Sequence, residues 1–240
     1  MKRFLIAVGI LLELTACNPQ PYSPTVPTLP TVPSSSPSPI SSVPSISSFP
    51  PLPVPFSPQA PFAVWDPLHE ETCEEMSLIM VHHFLTGAPL TREDAEGELL
   101  AMVAWEMRNG YAVDVTIDEL ARIAKDYYGY DATVYRGGDV TLKNIRRLIA
   151  DGSPVIVPAA GQMLGNPYFS GEGPPYHMLV LTGFDATHII TNDPGTRRGE
   201  EYRYPHATVM DAIHDWTGDK ETIREGERAM MVLHSPRVSP

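Results

Sequence analysis

Cys73 stands in the run His69-Glu70-Glu71-Thr72-Cys73-Glu74-Glu75 and is one of only two cysteines in the chain, the other being Cys17. A thiol becomes a nucleophile as its thiolate, which a helix N-terminus or a neighbouring cation stabilises. Thr72-Cys73-Glu74-Glu75 has the pattern of a capping box, which would set Cys73 in the first turn of a helix. There the unpaired backbone N–H groups and the helix dipole favour an anion. The four glutamates at 70, 71, 74 and 75 act the other way, so a thiolate near neutral pH requires a cationic partner. The plainer reading is a buried core cysteine with no chemistry.

A histidine held by a carboxylate would supply that partner. His177 opens the apolar run Met178 to Phe184, and the returning run His188 to Asn192 ends at Asp193-Pro194-Gly195. Centring the hairpin on Asp185 sets His177 opposite Asp193, within reach of an imidazole–carboxylate hydrogen bond. That bond would fix the ring tautomer and stabilise the imidazolium. A slip of one residue would substitute Asn192, so the pairing depends on register. His82 and His83 are adjacent, with no Cys or carboxylate at ligand spacing in the sequence, and are not read as a metal site.

The elements that must carry these residues come in two groups. Helical spacing runs from Cys73 to Gly87, then after Thr91 to Gly110, after Thr116 to about Gly129, and after Thr141 to Gly152. Short apolar runs then predict strands at 154–158, 178–184, 188–191, 201–204 and 229–234, with a short helix at 208–216 between the last two. Helices followed by a mainly antiparallel sheet make an α+β pattern, as in papain-like folds, where a helical lobe carries the Cys and a sheet lobe the His.

The first 61 residues have a different composition. Lys2 and Arg3, the apolar stretch Phe4 to Leu12 and Leu14-Thr15-Ala16-Cys17 together resemble a lipoprotein signal peptide over 1–16, with lipid attached to Cys17. Residues 18–61 hold 15 of the 26 prolines. Proline fixes φ and removes backbone donors, so 17–58 is expected to be a disordered stalk and 59–240 the globular domain. With Cys17 lipidated, Cys73 has no partner within the chain, which favours a use for its thiol. After loss of Lys2, Arg3 and Glu13, 15 of the 17 basic and 28 of the 29 acidic residues remain, a net charge of −13. Such a surface argues against nucleic acid as a partner, and against anionic lipid except through the anchor.

Several spaced segments also carry a family likeness. Gln59-Ala60-Pro61-Phe62, Trp65-Asp66, His69 to Glu75, Tyr176 to Val180 and Thr191 to Thr196 resemble the stand-alone, papain-like relatives of the bacteriocin-processing cysteine peptidases, peptidase family 39. The resemblance implies a triad of Cys73, His177 and Asp193, with Gln59 donating to the oxyanion. Gln59 lies 14 residues before Cys73, and Glu74 follows it; transporter-linked members have the Gln a few residues before the Cys and a Gly after it. The implied activity is hydrolysis of peptide or amide bonds through a thioester at the cell envelope. It would need no cofactor or metal, a monomeric domain would suffice, and the partner would be a peptide or protein substrate. A peptidoglycan peptide hydrolase with the same triad, as in NlpC-type and CHAP enzymes, and a non-catalytic peptide-binding lipoprotein are the alternatives.

Overall fold

The computed structural model describes residues 48–235. The signal peptide, Cys17 and the stalk as far as residue 47 lie outside them. Helices come first: α1 (Cys73–Thr86), α2 (Arg92–Asn109), α3 (Ile117–Ile123), continued by one π turn to Tyr128, and α4 (Leu142–Ala150). Strand β1 (Asp131–Arg136) falls between α3 and α4. After α4 come β2 (Val155–Ala160), β3 (Tyr176–Phe184), β4 (His188–Asn192), β5 (Tyr202–Pro205), α5 (His206–Ala212) and β6 (Ala229–His234). The six strands form one antiparallel sheet in the order β1-β6-β2-β3-β4-β5.

Alternation along the strands divides the core. Ile156, Met178, Val180, Met231 and Leu233 face one cluster with Met76, Ile79 and Met80 of α1, Leu99 and Met102 of α2 and Leu120 of α3. Val155, Val157, Leu179, Leu181, Met230 and Val232 face the other, with Ile145, Leu148 and Ile149 of α4 and Val209 and Ala212 of α5. Period-2 side chains on a doubly covered sheet explain why β2 and β3 are buried along their whole length. Helix α1, which begins at Cys73, packs on β3, which begins at Tyr176-His177. This is the α+β, papain-like arrangement the sequence pattern implied.

Thr91 and Thr116 close capping boxes with Asp94 and Glu119. The box expected at Thr72 does not form. A 3-10 turn over His69–Glu71 runs directly into α1, and Thr72 Oγ1 donates back to the His69 carbonyl instead of capping. Glu75, which would have closed that box, is buried. Strand β1 was not anticipated, and the last helix is shorter than expected, ending at Ala212.

Composition assigned residues 48–58 to the stalk, but they lie against the sheet. Phe49 exchanges both backbone hydrogen bonds with Phe184, Leu52 N–H donates to Thr182 O at 2.8 Å, and Asn192 Nδ2 donates to Val54 O at 2.9 Å. Val54 is buried, while Phe49, Leu52 and Phe56 pack on the two cores. Proline permits this because the strap makes few ladder bonds and needs few donors. Gly183 is where it comes closest: a Cβ there would lie 2.8 Å from Pro51 Cα.

Candidate active site

The hairpin that presents His177 does not pivot on Asp185. Asp185 Oδ1 accepts from the backbone N–H groups of Thr187 and His188, which makes a four-residue turn, and a bulge at Thr182 shifts the ladder again. Observed pairs are Phe184 with Ile189, Leu181 with Thr191 and Val180 with Asn192. The partner of His177 in that register is therefore residue 195, and the expected direct opposition to Asp193 is incorrect. The net slip is two residues, so Asp193 remains on the same face as a diagonal neighbour. His177 Nε2 meets Asp193 Oδ1 at 2.7 Å, and both side chains are buried. Gly195 makes room for the pair, since a Cβ there would lie 2.8 Å from His177 Cε1.

Asp193 is held from four sides. Its Oδ1 accepts from His177 and from Gly195 N–H at 3.0 Å; its Oδ2 accepts from Tyr204 O–H at 2.5 Å and Asn166 Nδ2 at 3.2 Å. Burial alone would push its pKa up, but the His177 charge and these donors outweigh that and hold it below the usual carboxylate range. An ionised Asp193 bonded to Nε2–H leaves Nδ1 as the ring nitrogen able to take a proton. Asn166 and Tyr204 carry no sequence signal for this role, because only the fold brings them to residue 193.

Cys73 begins α1 and is buried. Its thiol donates to Glu74 Oε2 at 3.0 Å, and among the described residues no hydrogen bond joins it to His177. Burial, then the charge of Glu74 and the hydrogen bond to it, then the charge of Glu75 push the thiol pKa well up, against a lowering contribution from Met178 N–H. Glu75 is raised by burial and by Glu106 beside it. Glu71 pairs with Lys220 at 2.8 Å. The acidic surroundings read from the sequence are real, and the two nearest acids are inside the protein.

Gln59 is buried, its backbone N–H donating to Pro194 O at 2.9 Å and its Nε2 to His69 O at 2.8 Å. The carbonyl acceptor fixes which end of the amide is nitrogen, and Nε2 keeps a second hydrogen. Cys73, His177 and Gln59 line one cleft of about 670 Å³. Trp65, Tyr168 and Phe169 supply its aromatic walls, with Glu70, Glu71 and Asp114 among its acidic and Arg197 and Arg198 among its basic groups. His83, away from this cleft, is buried with Nε2 2.9 Å from Glu98 Oε1, a carboxylate that spacing along the chain did not reveal.

The profile of the Peptidase_C39 like family matches residues 51–222. A solved chain described as a C39-like peptidase from Bacillus anthracis aligns at 17% identity over 77% of this chain and 96% of its own length, with a TM-score of 0.49. The double glycine motif protease of an AMS/PCAT transporter, solved in complex with the leader peptide, aligns at 16% identity over 76% and 92%, with a TM-score of 0.41. No curated protein sequence matches the chain significantly.

Proposed function

The chain belongs to the Peptidase_C39 like family, and on that premise we propose that it is a cysteine peptidase of the cell envelope, acting through Cys73, His177 and Asp193. The observation that carries this reading is a helix-start cysteine and His177 lining one cleft, with His177 bonded to the buried Asp193 behind it. His177 Nδ1 takes the thiol proton, and the thiolate attacks the substrate carbonyl. The Cys73 backbone N–H and the free hydrogen of Gln59 Nε2 hold the oxyanion. His177 then gives its proton to the leaving amine, and water hydrolyses the thioester. Asp193 stays ionised and keeps Nδ1 available.

A tagged iodoacetamide probe should label Cys73 in the native protein, and Cys73→Ala should abolish hydrolysis of the responsive member of a peptide and peptidoglycan library. Unlabelled native Cys73 alongside a labelled denatured control, or a Cys73→Ala variant that still hydrolyses, would overturn the assignment. One observation favours a non-catalytic peptide-binding role instead: the thiol is bonded to Glu74 and not to His177. A peptide from the library that binds with no turnover would select that reading.

The envelope placement rests on the N-terminal sequence. Among the described residues no helix is long and apolar enough to cross a membrane, so attachment would fall to lipid at Cys17. Intact-mass measurement of detergent-extracted protein should show an acylated N-terminus at Cys17. Cys17→Ala that still partitions into membranes would argue against lipid anchoring.

A further inference from the structure

The side chain in contact with the nucleophilic sulfur has no part in a Cys–His–Asp scheme. Glu74 Oε2 accepts from the Cys73 thiol at 3.0 Å, and its Oε1 accepts from Val115 N–H at 3.4 Å. Glu74 is only 1% exposed, so its carboxyl group is shielded from water and held against the reacting atom. We propose that Glu74 is a further catalytic group: ionised, it keeps the proton on Cys73 and masks the nucleophile; protonated, it donates its O–H to the thiolate and sustains it. This rests on Cys73 being the nucleophile.

Its surroundings decide which form prevails. Asp114, in the loop after α2, raises it; Glu75, the next residue on α1, is backed by Glu106 of α2. Tyr176 of β3 faces it with its hydroxyl committed to Val115 O at 2.9 Å. The cation on this side, Lys220, is paired with Glu71 and Asp114. Burial, with the charge of Asp114 adding to it, pushes Glu74 up to about 8, so near neutral pH it is a carboxylic acid.

The proton count then closes. Below about pH 8 two mobile protons are present, one on Glu74 and one on Cys73 Sγ. In the activating step the S–H bond breaks, an N–H bond forms at His177 Nδ1, and Glu74 turns its O–H to the thiolate. Glu74 keeps its proton throughout. Above about pH 8 Glu74 has lost it, and a carboxylate in contact with sulfur holds the remaining proton there as S–H. An ordinary thiol reacts faster as pH rises. Cys73 should instead slow down once Glu74 ionises.

The test is the rate of iodoacetamide alkylation of Cys73 in the full chain between about pH 5 and 10. For the wild type the rate should fall above about pH 8. In Glu74→Gln the amide cannot ionise and always offers an N–H, so the fall should vanish and the rate at about pH 9 should exceed wild type by about tenfold, one pH unit beyond the titration. A wild-type rate that climbs steadily, or a folded Glu74→Gln whose profile superimposes on wild type, overturns the proposal. If Glu74→Gln does not fold, the wild-type profile decides alone. His177→Ala separates the two readings: if it suppresses reactivity at acid pH while Glu74→Gln changes nothing, the triad stands and Glu74 is structural. If His177→Ala has no effect either, Cys73 is not the nucleophile.

Discussion

Replacing His177 with alanine is expected to slow alkylation of Cys73 at about pH 6 by about 100-fold, the scale of a positioned general base, because the thiol then has no base to take its proton and no imidazolium to face the thiolate. The physical basis is the charge around the sulfur. Burial, Glu74 and Glu75 all disfavour a thiolate, and the start of α1 and Met178 N–H do not offset them. The imidazolium is the cation that can. Asp193→Asn should leave the imidazole in place and still lower hydrolysis by about 10⁴-fold, the scale seen when a triad carboxylate becomes an amide. The carboxylate accepts from His177, Gly195, Tyr204 and Asn166, whereas an asparagine has one acceptor oxygen and brings two further donors. Alkylation profiles and single-turnover hydrolysis would check both. Should His177→Ala match wild type at pH 6, the ion-pair account of the thiol is wrong.

The order of elements was legible in the sequence because three of the helices carry their own N-terminal punctuation. Thr91, Thr116 and Thr141 sit at the N-termini they signalled, and their hydroxyls cap. The pairing of His177 with Asp193 came from a correct topology and an incorrect register. It gave the right face because the slip of two residues is even. The Asp185 turn and the Thr182 bulge that cause the slip depend on side-chain hydrogen bonds and strand twist, which periodicity does not encode. Strand β1 was missed because it is a six-residue edge strand, half exposed, with too little apolar contrast to stand out from a loop. Glu74 was visible only as one charge among four. That it is buried, and touches sulfur, follows from α1 packing on β3 and from the loop at 114–115 reaching its first turn through Val115 N–H.

The same limit explains the strap, and leads to the second large effect. A chain beginning at Gln59 is expected to be less stable than one beginning at Ser48 by about 2–4 kcal/mol, or about 5–15 °C in Tm for a domain of this size. Proline-rich composition reads as a stalk because it cannot continue a ladder, yet 49–58 uses isolated bonds at Phe49, Leu52 and Val54 and drops apolar side chains onto both cores. Removing it uncovers Gly183, whose missing side chain exists to admit Pro51, and leaves Asn192 Nδ2 without its acceptor. Asn192 adjoins Asp193, and Gln59 is joined through its backbone to Pro194, so loss of the strap also loosens both sides of the site. Thermal unfolding of the two chains, with Cys73 alkylation followed in parallel, is the measurement. Equal midpoints and equal alkylation rates would mean that residues 48–58 are stalk after all; a lowered midpoint with slower alkylation would place the true start of the domain near residue 48 and make the strap part of what holds Gln59 and Asp193 in position.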